Sequence, residues 1–319
     1  MSRQEGMALV MVLWIMSLLT IMAGSYALTI RREISLVSAI LDNAKLKVLA
    51  EAGLNVAAAM LFYQDAKSTW RGDGSIYSFQ FKEAEIRLRI FSESGKIDIN
   101  KADENVLRAI IKTTPAEEHK QQEIVDAILD WRDEDEWVRI HGAEAQQYRD
   151  AGLSYRPLNN DFQRLEELQL VLGMNDDIYT PLAAAMTVYA KQKTVNMAMA
   201  SRQVLMAVSN VDVTLLEEFI AQREASHRLQ EQAPEFPFQS GRQQVLSQGV
   251  FTVFAEAQLA DNAQFGVRAI ISKNPANTSK KKYPQKLFII IDWQLMFDEE
   301  SLFSAEMEPL IVKLNAVTQ

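Results

Sequence analysis

The residues best suited to chemistry in this chain are acidic and lie close together in the sequence. They are Asp130, Asp133, Glu134, Asp135, Glu136 and Glu144. Calcium prefers oxygen ligands such as carboxylates, and Asp133, Asp135 and Glu144 fall at the first, third and twelfth positions of an EF-hand loop. However, Trp137 and Val138 stand where that loop needs an oxygen ligand and a glycine. The run is therefore a candidate calcium site that is not an EF-hand, and a solvated helix end is the alternative.

Other chemistry has little support in the sequence. The chain has no cysteine, which excludes disulfides, thiolate metal sites and cysteine nucleophiles. His119, His141 and His227 form no pair with metal-ligand spacing, and nucleotide-binding and serine-hydrolase motifs are absent. No pair of carboxylates lies in an apolar stretch that would separate their pKa values. The net charge of −9 disfavours binding to nucleic acid. We therefore expect a protein that is not an enzyme and does not bind nucleic acid.

A long apolar segment begins near the start of the chain. Residues 7–30 carry no charge and directly follow Gly6. A helix of this length can cross the hydrocarbon core of a bilayer. The small residues Ala23, Gly24 and Ser25 offer a crude signal-peptidase site, but it lies inside the apolar run. The segment predicts a transmembrane helix, and a plain signal anchor is the alternative.

The elements that follow fall into two compositions. No proline interrupts residues 7–63, and apolar residues recur every three or four positions through Ile34, Val37, Leu41, Ala44 and Val48, so we predict one long helix. Residues 67–78 are rich in turn formers. Alternating patterns predict strands over 79–90, 251–259, 265–271 and 287–295. The intervening residues, 103–226, have helical periodicity, with helices expected over 165–172, 179–189 and 215–220. Gly173 is expected to cap the first of these and a Thr214–Glu217 capping box to begin the last.

The helical part contains an internal sequence repeat, called the internal echo below. Residues 98–109, DINKADENVLRA, align with residues 196–207, NMAMASRQVLMA, at an offset of 98 positions. Each copy has a short polar segment followed by the start of an alanine-containing helix. The pattern predicts two small helical modules with a common lead-in segment.

The leader and the helical motifs together resemble a known family. A short polar leader, a glycine and an apolar helix resemble the signal of type IV pilins and type II secretion pseudopilins. The further motifs are SGKIDINKA at 94–102, DAILDWRDED at 126–135, GAE at 142–144, EEL at 166–168 and VLGM at 171–174. In this order they resemble the minor pseudopilin K family of the type II secretion system. The second lead-in segment departs from the family form, because it reads NMAMA from Asn196.

The resemblance implies a processing site and partners. Prepilin peptidase would cut between Gly6 and Met7. Pilin-like subunits usually have glutamate at the fifth mature position, which is Met11 here, and the pseudopilin K family is known for lacking that acid. The minor pseudopilins I and J would contact the second half of the long helix through Val37, Leu41 and Val48. The resemblance also implies calcium in the first helical module.

The resemblance further implies an α+β pseudopilin fold with a large all-α insertion of two SAM-like modules. The predicted division is leader 1–6, transmembrane segment 7–30, pseudopilin helix and first strands 31–102, first module 103–190, second module 191–248 and C-terminal strands 249–319. The folded part would face the periplasm of a Gram-negative bacterium from the inner membrane, although Arg31 and Arg32 weakly favour the opposite orientation.

The function implied is that of a tip subunit that primes the pseudopilus and supports protein export. A signal-anchored periplasmic helical binding protein and a minor pilin of a related type IV pilus or DNA-uptake system are the alternatives.

Overall fold

The computed structural model describes residues 5–62, 70–209, 211–228, 231, 234–237, 249–274, 288–296 and 300–313. The helices are α1 (Glu5–Phe62), α2 (Glu104–Ile111), α3 (Glu118–Arg132), α4 (Ala145–Asp150), α5 (Asp176–Ala185), α6 (Arg202–Val208) and α7 (Val213–Arg228). The strands are β1 (Asp73–Phe81), β2 (Ala84–Ser92), β3 (Ile97–Asp98), β4 (Met186–Thr187), β5 (Val250–Leu259), β6 (Gln264–Lys273), β7 (Phe288–Leu295) and β8 (Ile311–Lys313). Short 3-10 helices span Glu93–Gly95, Leu165–Leu170 and Glu308–Leu310.

The long helix predicted from the proline-free run is confirmed as α1. Among the helices in the described residues, α1 alone is long and apolar enough to cross a membrane. In its first half, the large apolar side chains that the structure describes are exposed, including those of Met7 and Met11. Large apolar side chains that remain exposed over such a length suit a lipid environment.

The second half of α1 packs on the sheet through a stripe of small and branched residues. Leu46, Ala50, Leu54 and Ala57 are buried against β2, β5 and β6. A Cβ atom at Gly53 would lie 2.9 Å from Leu88 Cδ2, so the helix backbone approaches the sheet closely at this glycine. The predicted apolar positions Val37, Leu41 and Val48 lie on a different side of α1 and are exposed.

The main sheet has six strands in the order β7-β6-β5-β2-β1-β8. The predicted strands at both ends of the chain are confirmed, and all their pairings are antiparallel. Two features differ from the sequence prediction. Strand β1 begins at Asp73, inside the stretch predicted to form turns, and β8 adds to the edge of β1 in parallel. The α+β pseudopilin arrangement is therefore present, with the helical residues inserted between β2 and β5.

The inserted helices share an apolar core. Its buried members include Ile97, Ile99, Leu107, Ile110, Ile124, Ile128, Trp131, Tyr148, Phe162, Leu168, Leu182, Val204, Leu205 and Phe219. The rings of Trp131 and Phe162 stack with centroids 5.9 Å apart. Residues 97–102, which the predicted division leaves with the first strands, contribute Ile97, Ile99 and Ala102 to this helical core.

The internal echo has a counterpart in the three-dimensional structure. Asp103 caps α2 by accepting a hydrogen bond from the Val106 N–H, and Ser201 caps α6 in the same way through the Val204 N–H. Both caps and both amides are 98 positions apart, and α2 and α6 pack against each other. The two lead-in segments are therefore structurally equivalent.

An arginine also holds the lead-in segment of each copy. The Arg132 guanidinium donates to the carbonyl oxygens of Ile99 and Ala102, and the Arg223 guanidinium donates to those of Ala198 and Ala200. Ala102 and Ala200 are themselves 98 positions apart. Each arginine thus satisfies backbone acceptors that the following short helix cannot reach.

Three helix predictions are wrong in detail. The segment at 165–172 is a 3-10 turn that ends at Leu170, and Gly173 has the expected positive φ but follows a break in the helix. The helix predicted over 179–189 is α5, which ends at Ala185 because the chain then forms β4 beside β3. Helix α7 begins at Val213 rather than at a Thr214 capping box, because the Asp212 carboxylate accepts the Thr214 N–H.

A buried carboxylate joins the sheet to the insertion. Glu93 Oε1 accepts hydrogen bonds from Thr252 Oγ1 of β5 at 2.6 Å and from Lys96 Nζ at 2.8 Å. Glu93 Oε2 accepts from Thr187 Oγ1 of β4. One side chain therefore ties the pseudopilin sheet to the first helical module. A second connection links α7 to the sheet, where His227 Nε2 lies 3.0 Å from Tyr77 Oη.

Candidate functional site

The acidic loop, defined as residues 133–144, connects α3 to α4. The last hydrogen bond of α3 runs from the backbone N–H of Asp133 to the carbonyl oxygen of Leu129, so Asp133 is the C-terminal cap of the helix. The loop then folds back over the end of α3. The His141 N–H donates to Asp126 Oδ2 at 3.2 Å, and Asn159 donates to the Asp135 carbonyl oxygen at 2.5 Å. The backbone of the acidic loop is therefore held on both sides.

Three carboxylates of this region carry buried oxygens that lack hydrogen-bond donors. Asp130 Oδ1, Asp133 Oδ1 and Glu144 Oε1 accept no hydrogen bond from any described residue. Asp130 is 0% exposed and Glu144 is 6% exposed. Buried carboxylate oxygens without donors are costly unless a cation or proton compensates them. The chemistry of these oxygens therefore suits calcium, although no group of three acidic or histidine side chains in the described part of the chain is placed to hold a metal ion.

The pKa values of these carboxyl groups also indicate that a cation would be favourable at this place. Burial, together with the charges of Asp130 and Asp133, raises the pKa of Glu144 to about 7. Burial likewise raises the pKa of Asp130 to about 6, with a contribution from the charge of Asp133. The pKa of Asp133 is raised by burial and by Asp135. Carboxylates that repel one another in this way would be stabilised by a bound divalent cation.

The structure changes the ligand set that the sequence suggested. Asp133 is half-buried and Glu144 is buried, and the charge of Asp133 raises the pKa of Glu144. Asp135 is exposed, and its Oδ1 accepts the Trp137 N–H at 2.8 Å in a local turn. Asp130 is the buried member of the set, although the EF-hand spacing did not include it. The folded loop also raises the pKa values of Asp130 and Glu144 together by burying them, which the sequence did not indicate.

The histidines do not take part in this site through their side chains. His141 contributes a backbone N–H to Asp126, and His119 lies 3.5 Å from Glu117 at an exposed position. His227 is buried beside Tyr77, and burial lowers its pKa.

The other predicted positions all lie on α1. The helix passes through Gly6 and Met7, and residues 1–4 of the predicted leader lie outside the described residues. Met11 is on the exposed apolar half. Val37, Leu41 and Val48 are 54%, 64% and 63% exposed, so their side chains are free of contacts that would prevent a partner from binding.

Comparisons with known proteins agree on one family. The sequence model of the family described as type II secretion system protein K matches residues 86–192, which hold β2, the first helices and the acidic loop. A relative from Klebsiella pneumoniae named type II secretion system protein K is 25% identical over 241 residues, covering 67% of this chain and 73% of the relative. These matches support the predicted resemblance to the type II secretion system protein K family.

Further relatives fit this family. The protein of the same name from Pectobacterium carotovorum subsp. carotovorum is 24% identical over 220 residues, covering 61% of this chain and 67% of the relative. The fold is similar to a chain in the crystal structure of the GspK-GspI-GspJ complex from enterotoxigenic Escherichia coli, with a TM-score of 0.52 and 14% identity. That match covers 84% of this chain and 99% of the other. The predicted family and fold class are confirmed, and α1 fits a single-pass membrane anchor.

The raised pKa values predict a pH dependence of stability in the absence of metal. A carboxylate with a raised pKa stabilises the fold while it is protonated, and this contribution is lost as the pH rises through the folded-state pKa. For Glu144 and Asp130 the loss should fall between about pH 4 and pH 7. Thermal unfolding in a chelator should therefore show Glu144→Gln gaining stability over the parent as the pH rises, by on the order of 1–3 kcal/mol.

The buried His227 has the opposite effect, because its lowered pKa makes the fold lose stability as the pH falls below about 6.5. The quantity to compare is therefore the difference in unfolding free energy between Glu144→Gln and the parent at each pH, since both proteins contain His227. Glu134→Gln, at an exposed position of the same loop, is the control and should follow the parent. A parent and Glu144→Gln that stay parallel from pH 4 to pH 8 would contradict this account of the site.

Proposed function

We propose that the protein is the tip subunit of a type II secretion pseudopilus, where it primes filament assembly and supports export across the outer membrane. Helix α1 would anchor it in the inner membrane of a Gram-negative bacterium, with the sheet and the insertion in the periplasm. Its role would be structural rather than catalytic. The observation that carries the proposal is the large helical insertion on the pseudopilin sheet.

The insertion favours an end position over a place in the filament shaft. Its core extends from Ile97 to Phe236 and packs as a body beside the sheet. Packed protein interiors cannot interpenetrate, so a body of this size would collide with subunits stacked tightly on both sides. At the tip, nothing stacks above the subunit and the insertion has room.

Met11 supports the same position. In a pilus-like filament, the glutamate at this position pairs with the amino terminus of a neighbouring subunit inside the apolar core. A charged side chain without a partner is costly at membrane depth. A tip subunit has no neighbour above it to offer that amine, so an uncharged residue such as Met11 avoids the cost.

The proposed partners are two smaller minor pseudopilins of the kinds called I and J. The similar fold from Escherichia coli was determined in a complex with GspI and GspJ. In this chain, the partner face of α1 is defined as Val37, Leu41 and Val48, which remain exposed although they are apolar. Burying such residues against a neighbouring helix would remove apolar surface from water.

Calcium binding by the acidic loop is a second proposal, favoured by the buried carboxylate oxygens that accept no hydrogen bond. Asp130, Asp133 and Glu144 would supply carboxylate ligands. When bound, calcium would supply charge that neutralises their repulsion. The bound loop would then be a rigid part of the first helical module.

Processing at the leader is tested by mass spectrometry of the membrane-bound protein. Cleavage by prepilin peptidase should leave Met7 as the first residue, and Gly6→Leu should prevent it, because a side chain there would obstruct the peptidase. Gly24→Leu is a matched control, since a Cβ at Gly24 meets nothing within 4 Å, and it should be cleaved normally. An N-terminus at Met1 or after Ser25 in the parent would refute the pseudopilin leader.

The partner face is tested by co-purification of the full chain with the two smaller minor pseudopilins. The three proteins should elute together in a stoichiometric complex, with or without DNA. Leu41→Glu should weaken the complex at least tenfold, because it would place a charge in an apolar helix contact. Leu36→Glu is the control, since Leu36 is equally exposed but lies about 100° around the helix from Val37.

The proposed tip position can be tested by crosslinking in the assembled filament. Crosslinks that join copies of this chain to one another along the filament shaft would refute it. Enhanced incorporation of Met11→Glu into the shaft with no loss of function would also argue against the role assigned to Met11.

The calcium proposal predicts a higher melting temperature in calcium than in a chelator. A ligand that binds only the folded state stabilises it by about 2.7 kcal/mol at one hundred times its dissociation constant. Asp133→Asn should remove the difference, whereas Glu134→Gln should retain it because Glu134 is an exposed residue of the same loop. An identical melting curve for the parent in calcium and chelator would refute calcium binding.

A further inference from the structure

We propose that Arg139 is a resident counter-charge of the acidic loop that calcium must displace from Asp130, so that Arg139 sets the calcium affinity of the site. The inference rests on the calcium binding proposed above and concerns the regulation of that site. In the metal-free loop, the Asp130 carboxylate is paired with the Arg139 guanidinium.

The geometry places the guanidinium at the oxygen that a cation would need. Arg139 Nε lies 3.4 Å from Asp130 Oδ1. This oxygen receives no hydrogen bond from the residues that the structure describes, so the contact is held by charge. The Arg139 side chain is 43% exposed, whereas that of Asp130 is fully buried. The positive charge therefore enters from the solvent side and can leave the same way.

The other oxygen of Asp130 is already in use. Asp130 Oδ2 accepts the backbone N–H of Arg139 at 3.2 Å. It also lies so close to Gly142 that a Cβ on this glycine would overlap it. Asp130 can therefore offer Oδ1 to a cation while its other oxygen stays fixed to the loop backbone. A guanidinium and a calcium ion cannot both occupy the space in front of Oδ1.

The charges of the loop explain why a resident cation is useful. The charge of Asp133 raises the pKa of Asp130, and the charges of Asp130 and Asp133 raise the pKa of Glu144, while the Arg139 charge lowers the pKa values of Asp130 and Asp133. Arg139 therefore stabilises the metal-free loop. The same charge opposes an incoming divalent ion, so it lowers the gain from binding.

The test is a calcium titration of the full chain in detergent micelles, followed by calorimetry at pH 7.5 with calcium chloride as the probe. Arg139→Gln should bind calcium roughly threefold to tenfold more tightly than the parent, because a competing charge is gone. Arg149→Gln changes the net charge equally but removes only an exposed contact to Gln146, so it should bind like the parent. Equal or weaker binding by Arg139→Gln would overturn the inference.

A second measurement separates displacement from a general loss of loop structure. In a chelator, Arg139→Gln should melt below the parent, and in an Asp130→Asn background the same change should have no further effect. If the effects of the two substitutions simply add, Arg139 does not act through Asp130 and the inference is overturned.

The outcomes also distinguish this inference from the calcium proposal. Calcium binding by the parent with unchanged affinity in Arg139→Gln would overturn only the role of Arg139. No binding by either protein would overturn both. Binding by Arg139→Gln alone would show that calcium does not displace Arg139 in the parent, and would overturn both calcium binding by the parent and the displacement.

Discussion

The arrangement of the whole folded part depends on a buried carboxylate, that of Glu93. Its two oxygens are shared between Thr252 of the sheet, Thr187 of the insertion and the ammonium group of Lys96. A buried charge is expensive to leave without partners, so the sheet and the insertion must stay in contact around it. Glu93 directly follows β2, at the point where the chain leaves the sheet for the insertion. It therefore sets the direction in which the insertion starts.

Neighbouring contacts reinforce this junction. The Ser94 carbonyl oxygen accepts the Asn196 N–H at 2.8 Å, which brings the second lead-in segment to the same place. On the other side, α7 reaches the sheet through His227 and Tyr77, and Arg71 donates to Ser226 at 3.1 Å. Both helical copies are thus attached to the sheet near their beginnings or ends.

Much of the fold could be predicted from sequence because it depends on repeating local patterns. The uninterrupted apolar run predicted α1, and the alternation of apolar and polar residues predicted the central strands. The offset of 98 positions predicted two equivalent lead-in segments, whose helices are capped by Asp103 and Ser201. The elements that were missed depend on distant partners. Strand β8 forms only because β1 offers a free edge, and α5 ends at Ala185 because β3 pairs with the next residues.

The candidate site likewise contains residues that spacing along the chain identifies and features that depend on the folded structure. Asp133 and Glu144 could be found by spacing along the chain. Asp130 lies in the same acidic run, but its burial could not be predicted, because the acidic loop covers it only in the folded protein. A signal was nevertheless present: Asp126 and Asp130 are four residues apart on the face of α3 that also carries buried apolar residues. The role of Arg139 depends entirely on the folded loop.

The most direct test of the central claim is a distance measurement across the Glu93 junction. The chain has no cysteine, so Lys273→Cys on the sheet and Glu118→Cys on α3 would give two unique spin-label positions, both exposed. Pulsed electron paramagnetic resonance should give one narrow distance distribution in the parent. Glu93→Ala should broaden it or add a second distance, because the sheet and insertion lose their shared partner. A Glu93→Ala distribution as narrow as that of the parent, at the same mean distance, would contradict the claim that this carboxylate orients the insertion.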